Sequence, residues 1–414
     1  MEVKLIQINL NRSSIAHDLL EITTQKYGIH LGLLSEPNYK RVVNDKGIVV
    51  VDDKKDAAIY WSGTRDVVIR GKGAGNGFAW VEIEHIAVIY TCYFSPNKPT
   101  EEYKKFLEEI GQSLKQHDNR KKIIITGDFN AKNIIWGSGR NDRRGTMTLE
   151  WLATEGLAVL NDGKAPTCEH GGHPSYIDIT MVNNEAAAST TGWKVLNKEE
   201  SGSDHHYIFF QIEHTGPAGG AQGRTRRWQA RKLDQQILCR ELEEKCEQIT
   251  LSDIGNEGIH IAAQQLSQLM IDACTKADRR RPTDRSHHRP KHWWNREIAE
   301  LRKICVKKRR TYTRTRSWQK RTNSLQPETE QRAAQQLREY QEARNKLRKS
   351  IRRSKEKSWK KLIEEVDRDV FGLPYQIVMN KIKKRSPPIP PDMVRKAVRD
   401  LFPMQSRRDD VTIE

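Results

Sequence analysis

Four short clusters in the first half of the chain bring carboxylates, carboxamides and imidazoles to places where β-strands should end. They are Asn9-Leu10-Asn11, Ser35-Glu36-Pro37, Gly127-Asp128-Phe129-Asn130 and Ser203-Asp204-His205-His206, with Ser175-Tyr176-Ile177-Asp178 shortly before the last. Oxygen ligands without cysteine suit a hard cation, Mg²⁺ or Mn²⁺, and not a structural zinc. Such an ion stabilises charge on a phosphoryl group, orients it and eases loss of the leaving oxygen. Each cluster alone has a plainer reading. An Asn after a strand is ordinarily a turn residue. Ser-Glu-Pro commonly opens a loop. Adjacent Asp and His occur often by chance. Gly-Asp-x-Asn after Ile123-Ile124-Ile125 is more specific, because Gly permits a tight turn while Asp and Asn offer an acceptor and an amide from one bend. Chance explains the combination far less well than any single member.

The elements that must position these residues are strands with a few helices between them. Val3–Ile8 reads as a strand whose alternation slips at Leu5-Ile6. Ile29–Leu34, Ile48–Val51, Ala57–Trp61, Val67–Ile69, Phe78–Ile83, Ile86–Phe94, Ile123–Ile125, Ile177–Val182 and Tyr207–Ile212 follow. Helical spacing fills Ser13–Tyr27 and Glu101–Lys115, the latter with Tyr103, Phe106, Leu107, Ile110 and Leu114 at intervals of three and four. Many strands, few helices and polar strand ends predict an α/β sandwich of two sheets. Gly71, Gly73, Gly75 and Gly77 match neither G-x-G-x-x-G nor a P-loop and read as a hairpin turn. Arg140, Arg143 and Arg144 read as a loop that either contacts DNA phosphates or is simply solvated. His170 and His173 read as part of a turn, and His206 as a surface residue.

The second half has a different character. The chain of 414 residues has a formal charge of +18, with −3 on residues 1–214 and +21 on residues 215–414. Lys232–Gln248, Glu257–Lys276, Trp293–Arg316 and Glu328–Glu365 read as helices, the last two dominated by Lys, Arg, Glu and Gln. Lys307-Lys308-Arg309-Arg310, Arg314 and the stretch from Arg344 to Lys357 are strongly cationic, with Trp293, Trp294, Tyr312, Trp318 and Trp359 interleaved. Cations neutralise phosphates and release counterions, and aromatics stack on unpaired bases; the plainer alternative is a solvated charged helix. The domain reading is therefore 1–213 as the chemical domain, 214–230 as a Gly/Pro-rich linker, 231–384 as a basic helical extension and 385–414 as a poorly ordered Pro-rich tail. No apolar run reaches membrane-span length, so no membrane partner is expected. Met1 leads straight into a strand, and six scattered Cys lack any C-x-x-C pair. An intracellular protein with reduced thiols is expected.

In order and spacing the clusters resemble the endonuclease/exonuclease/phosphatase superfamily, and within it the apurinic-type endonuclease domains of insect non-LTR (LINE-type) retrotransposons. Gln7–Asn11, Leu34–Pro37, Tyr93-Phe94-Ser95-Pro96, Gly127–Ala131, Ser175-x-Ile177-Asp178-Ile179 and Ser203-Asp204-His205 carry the resemblance, over roughly residues 1–213. It implies a DNase I-like four-layer sandwich of two β-sheets flanked by helices. It implies Glu36 as the main ligand of Mg²⁺ (or Mn²⁺), with Asn9, Asn11 and Asp204 around the ion. Asp128 and Asn130 would position and deprotonate water, Tyr93 would bond the scissile phosphate, and His205, oriented by Asp178, would bind or protonate it. Asn11 stands where the apurinic-repair branch commonly has Asp, which puts a strict two-metal scheme in doubt. The implied activity is Mg²⁺-dependent nicking of DNA, acting in the nucleus, to leave a 3′-hydroxyl that primes reverse transcription. DNA is the expected partner, and RNA a further candidate through the basic extension. Trp293-Trp294-Asn295 and Phe371–Tyr375 resemble the linker of such elements. No aromatic-x-Asp-Asp polymerase motif occurs, so the reading is of a frame that stops before the polymerase. The rival readings are a phosphomonoesterase of the same superfamily and a catalytically silent, nucleic-acid-binding fragment. The oligomeric state is left open.

Overall fold

The computed structural model describes residues 2–44, 47–62, 67–118, 120–170, 173–213, 233–246, 256–277, 291–322 and 326–368. The linker reading for 214–230, the segment Phe371–Tyr375 and the Pro-rich tail all lie outside these residues. In chain order the strands are β1 Glu2–Asn9, β2 Leu31–Ser35, β3 Ile48–Val51, β4 Ala57–Trp61, β5 Ile69–Gly75, β6 Phe78–Ile83, β7 Ala87–Tyr93, β8 Ile123–Asp128, β9 Leu157–Val159, β10 Cys168–His170, β11 His173–Ser175, β12 Asp178–Asn183, β13 Thr190–Val195 and β14 Ile208–Glu213. The helices are α1 Ser14–Tyr27, α2 Tyr39–Asn44, α3 Thr100–Leu114, α4 Arg143–Glu155, α5 Asn184–Ala187, α6 Gln235–Cys246, α7 Asn256–Ala277, α8 Arg296–Thr322 and α9 Pro327–Arg368.

Two six-stranded mixed sheets form the centre, in the orders β13-β14-β1-β2-β4-β3 and β5-β6-β7-β8-β12-β9. β1 with β2, and β7 with β8, are the parallel pairs. The inward faces meet through Val3, Leu5, Leu33, Ile59, Val81, Ile89, Ile124 and Phe210. The outer face of the second sheet is covered by α3 and α4 through Tyr103, Phe106, Leu107, Ile110, Trp151 and Leu152. The outer face of the first sheet packs on α1, where Ile6, Ile8, Leu34 and Phe209 meet Ala16 and Leu20. This is the expected four-layer sandwich of two β-sheets flanked by helices.

The side-chain period of two along a strand explains where the site lies. On β1, Val3 and Leu5 face the other sheet, and Gln7 and Asn9 continue the same row. On β2 the row runs Leu31, Leu33, Ser35; on β8 it runs Ile124, Thr126, Asp128; on β12 it runs back from Val182 through Thr180 to Asp178. The inter-sheet layer is thus apolar along most of its length and turns polar at one end. Apolar burial holds the sheets together at ~25 cal/mol per Å², while the polar end must satisfy its groups by hydrogen bonds between the sheets.

α1 has a second buried face. Ile15, Leu19 and Ile22, at helical spacing, pack against Trp293, Ile298, Cys305, Ala343, Leu347 and Ile351 of α8, α9 and the turn before them. α8 and α9 therefore form a fifth layer on the sandwich. The sequence reading joined all basic helices into one extension; instead α8 and α9 share a body with residues 1–215, and residues 216–288 form a separate compact unit. Within that unit α6 and α7 pair, with Lys276 Nζ bonding Glu241 at 2.7 and 2.9 Å.

Several local expectations change in three dimensions. Arg143 and Arg144 begin a helix, capped by the Asp142 carboxylate on the Gly145 N–H at 2.7 Å. Arg144 is spent on the carbonyls of Ser95, Pro96 and Lys98, so it braces the Tyr-Phe-Ser-Pro loop. His206 is buried, 3.7 Å from Glu169, and not a surface residue. The glycine-rich hairpin is found as β5 and β6.

Candidate active site

The site is assembled by hydrogen bonds between the polar ends of the two sheets. Asn9 Nδ2, at the end of β1, donates to Glu36 Oε2 at 3.1 Å and to Asp128 Oδ2 at 2.8 Å. Its Oδ1 accepts the Asn11 N–H at 2.7 Å. Gln7, two residues earlier on the same face, donates to Asp178 Oδ1 at 3.0 Å. Ser35 Oγ donates to the Cys92 carbonyl at 2.8 Å and accepts the Asp128 N–H at 3.4 Å, tying β2 to β7 and β8. Asp128 and Asp178 are direct partners across the β8–β12 ladder. Gly127 lets β8 lie close against β7 at this end: its φ is +150°, and a Cβ there would lie 2.0 Å from the Cys92 carbonyl oxygen.

Asp178 Oδ2 holds His205 Nδ1 at 2.8 Å. Thr167 Oγ1 accepts the Asp178 N–H at 3.1 Å. The other imidazole nitrogen, Nε2, faces Asp128 Oδ2 across 3.8 Å. Burial pushes the His205 pKa down, but Asp178, by charge and hydrogen bond, together with Cys168 and Asp128, outweighs it and raises it well above the ordinary imidazole value. Burial pushes the Asp128 carboxyl up, Asp178 adds to this, and His205 and the Asn9 bond oppose it; the net direction is upward. The Asp178 contact thus favours the protonated form of the His205 ring. Tyr93, nearly buried beside Glu36 and Asp128, has its hydroxyl pKa raised by burial and then by Glu36, which keeps it a proton donor.

Asn130 has a positive φ of 47°. Its N–H bonds Asp128 Oδ1 and its Nδ2 bonds the Phe94 carbonyl, both at 3.0 Å. Glu36, also at positive φ, is half-buried, with Arg12 Nε 3.7 Å from its Oε1. The structure therefore brings together Asn9, Glu36, Asp128, Asp178, Asn130, Tyr93 and His205. Two expected ligands stand differently. Asn11 offers its backbone N–H to Asn9 while its side chain is exposed. Asp204 has Oδ1 bonded by Arg344 Nη1 and Oδ2 in contact with His170 Nδ1, both at 3.1 Å.

Gln7, Ser35 and Ser203 stood in the clusters without a role assigned to them, and Thr167 was not singled out. The signal available was the polar continuation of an otherwise apolar alternate row, visible for Gln7 and Ser35. Asp128, Asp178 and His205 have ligand atoms within 4.8 Å of one another. His205 already spends one nitrogen on Asp178, so the better oxygen donors are Glu36 and Asp128. Asn9 bridges them through its Nδ2 donor while its Oδ1 is taken by the Asn11 N–H, so the two carboxylates are what this corner offers a hard divalent cation.

Residues 87–209 match the family model described as endonuclease-reverse transcriptase. The sandwich is similar to endonuclease domains of the retrotransposon type. The resemblance read from the clusters is borne out. The chain is 24% identical over 294 residues to the retrovirus-related Pol polyprotein from type-1 retrotransposable element R1 of Bradysia coprophila, a match covering 67% of this chain and 28% of that protein. It is 31% identical over 85 residues to a probable RNA-directed DNA polymerase from transposon X-element of Drosophila melanogaster, covering 20% of this chain and 8% of that protein. The chain thus spans well under two thirds of either relative. Among solved structures, the endonuclease domain of TRAS1, a telomere-specific non-LTR retrotransposon, is 25% identical, with 52% of this chain and all of that one covered and a TM-score of 0.45.

Proposed function

We propose that this domain hydrolyses phosphodiester bonds in DNA, nicking one strand with the help of a bound Mg²⁺ or Mn²⁺. The observation that carries the reading is the pairing of two carboxylates bridged by an amide, Glu36 and Asp128 on Asn9, with an imidazole clamped by a carboxylate, His205 on Asp178, at one polar end of the inter-sheet layer. A divalent cation held by Glu36 and its neighbours would offset charge on the phosphate and on the departing oxygen.

The chain's own residues do the rest. Asp128 Oδ2 and His205 Nε2 lie 3.8 Å apart, so a phosphate and a water binding beside the pair meet an acceptor and an N–H donor side by side. The Asp128 carboxylate accepts the proton of the attacking water. The Asn130 N–H holds Asp128 Oδ1 and the Asn9 amide holds Oδ2, which together orient the carboxylate for that role. The His205 imidazolium donates to a non-bridging oxygen as charge builds on it. Tyr93 adds a second donor, its hydroxyl, from the end of β7.

The exposed cations of α8 and α9 extend the contact to nucleic acid. Lys307, Arg310, Arg314, Arg352, Arg353, Lys357 and Lys360 are exposed, as are Trp318 and Trp359. Arg309, Trp293 and Tyr312, which the sequence offered for the same purpose, are buried. In a complete element the nick would supply a 3′-hydroxyl primer, and the working place would be the nucleus. The test is the chemistry of the cut: nicked plasmid ends extended directly by a DNA polymerase support this reading. Release of inorganic phosphate from phosphomonoesters, without nicking, would replace it with the phosphatase alternative.

A further inference from the structure

His205 lies at the end of the 196–207 segment joining β13 to β14, and that segment is held from two sides. From within, Ser203 Oγ donates to the Asn9 carbonyl at 2.7 Å, and Ser201 Oγ donates to the His205 carbonyl at 2.6 Å. From outside, three arginines of the fifth layer converge on it. Arg302 Nε and Nη2 bond the Glu200 carbonyl at 3.0 and 2.7 Å. Arg309 Nη2 bonds the carbonyls of Asn197 and Glu199 at 2.7 and 3.0 Å. Arg344 Nη1 bonds Asp204 Oδ1 at 3.1 Å, and its Nε lies 3.4 Å from Glu200 Oε1.

The Glu200 carboxylate is completely buried. Its partners are Arg309 and Arg344, each at 3.4 Å, the Tyr340 hydroxyl at 3.1 Å and the Gly202 N–H at 3.1 Å. All but the last come from α8 and α9. A buried carboxylate stripped of its cations is strongly unfavourable. Ser201, Gly202 and Ser203 bring little apolar surface of their own, and Gly202 sits at φ +73°. The path of the segment is therefore set by these polar bonds.

From this geometry we infer that Arg344, with Arg309, is a positioning residue for the Asp204-His205 corner, so that the helical layer completes the nuclease site. Arg344 touches Asp204 and Glu200, not the reacting atoms, and acts through them. The proposal rests on the nuclease reading for its kinetic arm and is independent of it for its structural arm.

The experiment uses the full chain and the variants Arg344→Ala, Arg344→Lys and, as a control on the same layer, the exposed Lys303→Ala. The first arm is hydrogen exchange without substrate. Amides of residues 197–206 should lose protection at least tenfold in Arg344→Ala, less in Arg344→Lys and not in Lys303→Ala, with amides 19–24 of α1 unchanged. The second arm is nicking of an oligonucleotide duplex. Arg344→Ala should lower kcat at least tenfold with KM within about twofold, and Arg344→Lys should recover part of it. Unchanged protection of 197–206 in Arg344→Ala overturns the proposal, as does a loss shared equally by α1 or a kcat equal to wild type. Should Arg344→Ala fail to fold, Arg344→Lys decides by the same two readings. A wild-type chain that does not nick at all counts against the nuclease reading alone, and the exchange arm still judges Arg344.

Discussion

At the scale of single residues the site is a set of mutual dependencies. Asn9 supplies the donor that keeps Glu36 and Asp128 apart, so Asn9→Asp should put a third carboxylate among two others. In a chelator the variant should lose about 1–3 kcal/mol of stability and melt below wild type. Adding Mg²⁺ should raise its melting temperature by more than it raises that of wild type, because added ligand charge strengthens binding and binding stabilises the fold. A thermal melt with and without Mg²⁺ checks both signs. Asp178 fixes the His205 ring, so Asp178→Asn should lower kcat for nicking by about 10²-fold or more, measured at saturating duplex. His17 gives a pH prediction away from the site. Its Nε2 accepts the Asn38 N–H at 2.9 Å, which requires the neutral ring. Burial, with Arg41 nearby, lowers its pKa to about 3. The folded value lies below the unfolded value of about 6.5, so the unfolded chain takes up the proton first. Stability from this site is full above about 6.5 and is lost as pH falls from there toward 3. Between pH 7.5 and 5.0 the loss should reach about 2 kcal/mol. His17→Gln, which keeps an acceptor and cannot titrate, should remove that part of the slope in urea unfolding.

At the scale of elements, the sequence showed most of what the apolar residues alone decide. Ile86–Phe94 and Ile123–Ile125 are found as β7 and β8, and Ser13 caps α1 through its side chain on the Ala16 N–H. α4 was not legible because its buried face is only Gly145, Thr148, Trp151 and Leu152, too sparse a stripe to show helical spacing, and Arg143-Arg144 read as loop. The clusters at Asn9, Glu36, Asp128 and His205 could be picked out by residue type. Their joining could not, because Gln7 meets Asp178 across 171 positions and Arg344 meets Asp204 across 140. The fate of Asp204 was hidden for the same reason: its charge partner is 140 positions away. The two-sided burial of α1 gives a packing prediction. Leu19 and Leu347 are both buried in the cluster between α1 and the fifth layer. Leu19→Ala and Leu347→Ala should each cost about 2–5 kcal/mol, and the double variant should cost less than their sum because they share one cluster. Chemical denaturation of the three variants tests this.

At the scale of the whole molecule, the charge is divided by task. The sandwich segment is near neutral and carries the carboxylates, while the +21 of residues 215–414 is itself divided. Arg302, Arg309 and Arg344 are turned inward to hold the His205 segment, and the exposed Lys and Arg remain for phosphate. Binding of duplex DNA to the full chain should therefore weaken steeply with salt, the affinity falling linearly on a log–log plot. Arg352→Ala combined with Arg353→Ala should flatten the slope without changing kcat. The central claim is that the pocket holding Glu36, Asp128 and His205 cuts DNA. The most direct measurement is conversion of supercoiled plasmid to open circles by the full chain in Mg²⁺, beside Asp128→Ala and His205→Ala of equal thermal stability. Nicking by wild type that disappears in EDTA and in both variants is the predicted result; nicking that persists undiminished in either variant, or a well-folded wild type that never nicks, would contradict it.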